Sequence, residues 1–430
     1  MVSIIPSEEQ QKIITAIGEP DVNLVVNSVA GSGKSTTIAL IAEAYSNLSI
    51  LCLTFNRVLK EEFRVRIIER NIDNLEVHNY HSMAVRYYDG NAYTDNTMQN
   101  YLNNPKNNEN AFAYDIIIID EAQDMSKLYF DLICQIYEDC STKPKICIIG
   151  DDKQCIFQFN GSDPRFITMF PRLWTRNNYK WLQLKLSTSY RLPISAAVFV
   201  NDVMLGEHKI VPRPNANMGE VRYLACNPFT DMPYNELRHM LTRFAPDEIF
   251  VLAPSMKSQK SPVMRMENKI KTEIHGINVY VSNNDSDKLD DKDIEGKLVF
   301  STLHQIKGLE RKCVIVFGFD SDYFKYYAKN DNINVCPNTL YVAATRCTHS
   351  LTVIQDIKND CLQFIDPSLL ESRCNMIGEP AHMITSNKEC SRVKQNAFAV
   401  VDLTKFLHFT VINECVSYID SVIIDKAHGK

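Results

Sequence analysis

Residues Ser28 to Ser35 read S-V-A-G-S-G-K-S, between an apolar run (Leu24, Val25, Val26) and a helix-like run from Thr36 to Tyr45. Strand, small-residue loop and helix in direct succession wrap backbone N–H groups around nucleotide phosphates. Gly31 and Gly33 let the backbone come close to the ligand. Lys34 would reach the β- and γ-phosphates and the Ser35 hydroxyl would ligate Mg²⁺, with Ala30, Ser32 and Thr36 lining the same stretch. Ser28 stands where the usual pattern has its first glycine, six residues before the lysine. A plain glycine turn ahead of an ordinary helix is the alternative for this segment taken alone.

From Met1 to Tyr190 short apolar runs alternate with helical patterns. Leu24–Asn27, Ile50–Phe55, Tyr114–Asp120, Lys145–Gly150 and Trp181–Leu186 read as buried strands, and Arg57–Arg70 and Met125–Tyr137 as helices. That alternation predicts a parallel sheet covered on both faces, with functional residues at the C-terminal strand ends. Asp89 to Asn110 is rich in Asn and reads as an exposed loop or a vestigial insertion. A second alternating block follows, with strands expected at Glu248–Ala253, Asn278–Val281, Leu298–Ser301, Cys313–Phe317 and Leu351–Gln355. The acidic stretch Ser282–Lys297 reads as a surface loop. The tail changes character near Lys358: Asn375–Lys394 is polar and turn-like, and Asp402–Ile419 has helical apolar spacing.

At 430 residues and 45% hydrophobic, the chain can bury two or three cores. A net charge of −6 excludes a global basic footprint, so nucleic-acid binding would need a local groove. The 13 cysteines include no C-x-x-C pair and suit reduced thiols of an intracellular protein. Met1–Gln10 does not read as a signal peptide, and no apolar run approaches the ~18 residues of a membrane span. The expectation is an intracellular protein without membrane contact, placed in the nucleus, the cytoplasm or a viral replication site.

Asp120-Glu121-Ala122-Gln123-Asp124 follows a run with four isoleucines (Ile116 to Ile119). An acidic pair at a strand end is what Mg²⁺-dependent phosphate hydrolysis needs: Asp120 would hold the ion and Glu121 would orient and deprotonate the attacking water. Gln154, after the run Lys145–Ile149, could reach the γ-phosphate from a neighbouring strand; a surface glutamine in a turn is the alternative.

The order of these segments resembles the UvrD/Rep-like superfamily 1 DNA helicases, over roughly residues 5 to 355. Pro6-Ser7-Glu8-Glu9-Gln10 resembles the family's adenine-reading start, with Gln10 as reader. Thr54-Phe55-Asn56 and Tyr80-His81-Ser82 resemble DNA-contacting motifs, and Asp120–Asp124 the Mg²⁺ motif. GDDKQCIFQFNG (Gly150–Gly161) resembles the motif linking ATP state to DNA. Ser189-Tyr190-Arg191 resembles the start of the second motor domain, with Tyr190 stacking on adenine. Thr302–Glu310 resembles the motif whose Glu, here Glu310, contacts the ribose. Leu340–Arg346 resembles the last motif.

The resemblance implies an α/β fold: two RecA-like P-loop NTPase domains with parallel sheets, plus a small helical C-terminal extension. The domains expected are 1–188, with a vestigial insertion at about 84–113, then 189–357, then an extension over 358–430. ATP and Mg²⁺ would sit between the motor domains. Lys34, Glu121 and Gln154 would act from one side, and Arg191 and Arg346 from the other, where an arginine delivered across a cleft stabilises phosphoryl charge. Thr54, Phe55, Asn56, His81, Phe157, Phe159, Thr302 and His304 would contact DNA, the phenylalanines by stacking on bases. Core packing is the alternative for each of the three phenylalanines and for Tyr190, and an ordinary surface ion pair for either arginine.

The sequence departs from the family in carrying Phe157 and Phe159 where Tyr and Trp are usual, and Asn160 where Arg is usual. Little chain separates His81 from Asp115, or Arg191 from Thr302, so both accessory subdomains are expected to be vestigial. Two readings follow. One is a helicase moving 3′ to 5′ on single-stranded DNA and opening single-strand/duplex junctions in replication, repair or recombination. The other is a DNA-stimulated ATPase that remodels protein–DNA complexes without strand separation, or that borrows an accessory replication or repair protein. RNA stays open as a substrate, and the oligomeric state is not readable. Phe398–Leu407 weakly resembles the lead-in to nuclease modules, but no nuclease core follows it, and a packing helix is the simpler reading.

Overall fold

The computed structural model describes residues 5–55, 57–105, 111–282, 289 and 291–378. Asn56 and the expected tail helix Asp402–Ile419 lie outside the described residues. The first sheet holds β1 (Val22–Ser28), β2 (Ile50–Thr54), β3 (Leu75–Asn79), β4 (Ile116–Ile119), β5 (Lys145–Gly150) and β6 (Lys180–Leu186). Its order is β3-β2-β4-β5-β1-β6, with every pairing parallel. Parallel strands are covered on both faces, so they read as continuous apolar runs. In β4 the alternation of side chains sends Ile116 and Ile118 into one core and Ile117 and Ile119 into the other.

A short pair, β7 (Thr188–Ser189) and β8 (Val211–Pro212), leads to the second sheet. That sheet holds β9 (Glu220–Cys226), β10 (Ile249–Ala253), β11 (Val279–Val281), β12 (Leu298–Thr302), β13 (Arg311–Phe317), β14 (Cys347–Asp356) and β15 (Asn375–Ile377). Its order is β11-β12-β10-β13-β14-β9-β15, again with parallel pairings. Phe250 and Leu252 of β10 face one core; Ile249, Val251 and Ala253 face the other. Val29 and Ile156, which follow β1 and β5, are buried in the second sheet's core, so the two lobes share apolar contacts.

Three local expectations change. Asn375 does not open a turn-like stretch: Asn375–Ile377 pairs with β9, with Met376 opposite Tyr223. The Asn-rich segment is not simply an exposed loop. Asp95–Asn103 is a helix whose N-cap Thr94 accepts a bond from the Thr97 N–H, and Met98 and Tyr101 are buried. Three-residue spacing puts those two side chains on one face. In the Ser282–Lys297 stretch, Leu289 and Ile294 are buried rather than looped into solvent. Among the described residues no helix is long and apolar enough to cross a membrane.

Candidate nucleotide site and nucleic-acid face

The strand order places the C-terminal ends of β1, β5 and β4 side by side, which brings Ser28–Ser35, Asp151 and Asp120 to one edge. The loop turns on Gly31 (φ 70) and Gly33 (φ 81), both left-handed. A Cβ on Gly31 would lie 2.4 Å from the Arg191 Cβ, so the second lobe closes directly on this backbone. Ser189 Oγ donates to the Ala30 carbonyl (2.8 Å), and the Tyr190 N–H to the Gly31 carbonyl (2.8 Å). The helix Lys34–Ala44 starts at Gly33 with no side-chain cap, leaving its first N–H groups aimed at the loop. Ser32 Oγ is buried without a hydrogen-bond partner.

Gln10 caps its own helix with Ser7: the Ser7 N–H donates to Gln10 Oε1 (2.9 Å). Its Nε2 donates to Thr37 Oγ1 (3.1 Å). Each end of its amide makes one bond, which leaves a second N–H and a second lone pair for an adenine edge. Tyr190 is half-exposed, and its ring edge is 3.9 Å from the position of a Gly33 Cβ.

At the end of β4, the Asp120 N–H donates to the Leu53 carbonyl (2.8 Å). Glu121 adopts φ 52, a strained left-handed conformation for this residue, and its carboxylate pairs with Lys34 Nζ at 3.1 Å. Gln123 Nε2 donates to Glu121 (2.5 Å), and Gln123 Oε1 accepts from the Asp151 N–H (3.0 Å). Burial, then the adjacent Glu121 charge, pushes the Asp120 carboxyl up. Burial acts the same way on Glu121, but Lys34 and Lys307 outweigh it and hold that group down. Burial also opposes the Lys34 ammonium, yet Glu121, Asp120 and Asp151 together raise its pKa. A buried and a partly buried carboxylate in sequence beside a phosphate loop, with an orphaned Ser32 hydroxyl, fit a nucleotide with Mg²⁺: Asp120 and Ser35 would hold the ion.

The second lobe supplies the other wall. Arg346, buried, donates through Nη2 to Gln154 Oε1 (3.0 Å) and through Nε to the Val342 carbonyl (3.0 Å). Burial, reinforced by the Arg191 charge, lowers its pKa to about 9. Arg191 Nε pairs with Glu310 Oε2 (2.5 Å), so Glu310 holds an arginine in this arrangement. Four partners were not singled out in the sequence. Lys307 Nζ bonds both Asp124 oxygens (2.7 and 2.6 Å) and the Gln154 carbonyl (2.5 Å). Lys209 Nζ pairs with Asp151 (2.7 Å). Asp124, Asp151 and Lys307 lie inside recognisable motifs; Lys209 lies in none and carried no signal.

The aromatic candidates form one chain of contacts. Phe55 stacks on Phe157 (ring centroids 6.1 Å apart). Phe157 meets Phe159 edge-on (6.1 Å), and Phe159 meets His304 (5.7 Å). Phe159 is 66% exposed, while Phe157 is half-buried against the second lobe's core. His81 Nε2 pairs with Asp95 at 3.0 Å, a partner from the Asn-rich segment. Thr54 and Thr302 are buried: Thr54 Oγ1 has no hydrogen-bond partner, and Thr302 Oγ1 donates to Gln305 (3.0 Å). In this arrangement neither threonine is open to a ligand.

Two parallel-sheet lobes meeting over a phosphate loop define a two-lobed P-loop protein. The sequence model of the UvrD/REP helicase N-terminal domain matches residues 7–112 and 93–173, and that of the UvrD-like helicase C-terminal domain matches residues 256–357. The chain belongs to the UvrD/Rep-like helicase family. A protein of Acanthamoeba polyphaga mimivirus, provisionally named ATP-dependent DNA helicase R568, is 24% identical over 387 residues, which is 82% of this chain and 54% of that protein. The chain therefore spans about half the length of this relative. Among solved structures, an S. cerevisiae structure of Dbp5 bound to Gle1 and IP6 matches with a TM-score of 0.50 at 12% identity, covering 86% of this chain and 88% of that one. An arterivirus nonstructural protein 10 helicase matches with a TM-score of 0.38 at 12% identity, covering 81% and 61%.

Proposed function

We propose that the chain hydrolyses ATP with Mg²⁺ in the cleft between its lobes and uses closure of that cleft to move 3′ to 5′ along single-stranded DNA, opening duplex at single-strand/duplex junctions. The division into motor domains at about Thr188–Ser189 belongs to this reading. The observation that carries it is the Arg346–Gln154 bond at 3.0 Å, which joins a cation of one lobe to the candidate γ-phosphate sensor of the other.

The steps follow from the residues. Lys34 exchanges Glu121 for the phosphates, which frees the Glu121 carboxylate. Water attacks the γ-phosphorus, the bond to the β–γ bridging oxygen breaks, and Glu121 takes the water's proton. Mg²⁺ held by Asp120 and Ser35 would neutralise charge on the phosphate oxygens. Arg346 and Arg191 stabilise the transferring group only when the lobes are together, so chemistry is coupled to a domain motion. Gln10 and Tyr190 flank the base, and Glu310 reaches the ribose on leaving Arg191. The chain Phe55–Phe157–Phe159–His304 offers stacking surfaces, each worth ~1–3 kcal/mol per base.

One observation favours the second reading, a DNA-stimulated remodeller that does not separate strands. Between His81 and β4, the described chain folds into little more than the helices Tyr80–Tyr87 and Asp95–Asn103, with no accessory subdomain among the described residues to grip duplex. The two separate in a strand-displacement assay on 3′-tailed and 5′-tailed duplexes. Opening of 3′-tailed substrate only supports the helicase reading. ATP turnover stimulated by single strands, with neither duplex opened, supports the remodeller.

A further inference from the structure

Lys209 lies just beyond the stretch Phe199–Leu205, which is wound as a π-helix, a form that recurs at functional sites. Buried Asn201, inside that stretch, fixes the following turn. Its Oδ1 accepts from the N–H groups of Lys209 (3.1 Å) and Ile210 (2.9 Å), and its Nδ2 donates to the Ile210 carbonyl (2.7 Å). Lys209 is thereby aimed across the cleft. Its Nζ donates to Asp151 Oδ1 (2.7 Å) and Asp152 Oδ1 (3.1 Å).

The Asp151 side chain is fully buried. Its second oxygen, Oδ2, accepts from the Tyr341 hydroxyl (3.0 Å) and from Gln154 Nε2 (2.9 Å). A primary amide has one donor end and one acceptor end. With its donor end on Asp151, the Gln154 amide must turn its oxygen to Arg346, as the 3.0 Å bond records. Without the lysine, Asp151 would be a buried charge without its direct ion-pair partner, Lys34 being the other cation that acts on it.

We propose that Lys209 is a positioning residue for ATP hydrolysis: it anchors Asp151, and through Asp151 it sets the orientation of the Gln154 amide and of Arg346. This rests on the hydrolysis reading above. The alternative is an ion pair that only ties the lobes together.

The test is a double-mutant cycle on the full chain, measuring kcat and KM for ATP with single-stranded DNA present. In Lys209→Met, kcat should fall about 100-fold, the scale of a misplaced catalytic group, with KM within about three-fold. Lys209→Arg should recover most of the loss. In a Gln154→Ala background the same Lys209→Met change should cost less than about three-fold, because the two act as one unit. Equal factors in both backgrounds, or a raised KM with kcat unchanged, would make Lys209 a structural tie and overturn the proposal. If Lys209→Met does not fold, Tyr341→Phe runs the same cycle: about ten-fold loss is expected in the wild-type background and none with Gln154→Ala, and equal losses overturn it. Wild-type turnover separates this from the parent reading. An inactive wild type overturns both; an active wild type with independent losses overturns the role of Lys209 alone.

Discussion

Ser28 shows how a residue that breaks a motif can still suit its position. The left-handed positions of the loop are Gly31 and Gly33; Ser28 is not among the positive-φ residues, so no glycine is required there. Its hydroxyl instead donates to the Gly150 carbonyl (2.8 Å), tying the end of β1 to the end of β5. Glu76 shows a second residue-scale device, on edge strand β3. His78 Nε2 (2.7 Å), the Tyr114 hydroxyl (2.5 Å) and the Tyr87 hydroxyl all bond its carboxylate. The His78 bond foremost, with help from the tyrosines and against burial, holds the Glu76 carboxyl down at about 2. A depressed folded-state pKa gives stability that is present above the ordinary value of 4.5 and is lost as pH falls toward 2. Urea denaturation across that window should show stability falling less steeply in Glu76→Gln than in the wild type. Parallel slopes would mean that the carboxylate does not carry this linkage.

At the scale of elements, the helix Lys34–Ala44 that presents Lys34 is closed at its far end by one side chain. Asn74 Nδ2 lies 3.1 Å from the Ala42 carbonyl and 2.9 Å from those of Tyr45 and Leu48. Asn74→Ala should destabilise the fold by about 1–3 kcal/mol, the cost of leaving such carbonyls unsatisfied. A denaturation midpoint unchanged within error would show that water replaces the amide. The most legible elements in the sequence were β4, β5, β10 and β13, nearly continuous apolar runs; β6 and β11 were legible too although neither is uniformly buried. β3 and β9 were missed because their polar residues are satisfied by partners distant in sequence. Glu76 sits in a tyrosine cluster, and Arg222 of β9 pairs with Glu236 at 2.7 Å. The helix Asp95–Asn103 was hidden because only Met98 and Tyr101 are buried, too few to mark a period.

At the scale of the whole molecule, the cleft is built from segments far apart in the chain. Motif spacing and the family resemblance singled out Lys34, Glu121, Gln154, Arg191 and Arg346, which the structure brings to one cleft. Their present partners were not legible: Asp124 on Lys307 and Asp151 on Lys209 depend on how the two lobes meet, and Glu310 on Arg191 joins residues far apart in the second lobe, which no local pattern encodes. On the proposed reading ATP enters by exchanging the Glu121 carboxylate on Lys34 for its phosphates, with Arg346 completing the site from the second lobe. ATP turnover by the wild type and by Arg346→Ala, each with and without single-stranded DNA, tests this most directly. The account predicts wild-type turnover that rises with DNA, and a loss of about 10³-fold or more in Arg346→Ala, the scale of an arginine that stabilises the transferring phosphoryl group, with nucleotide affinity little changed. Turnover in Arg346→Ala equal to that of the wild type, or wild-type turnover indifferent to DNA, would contradict it.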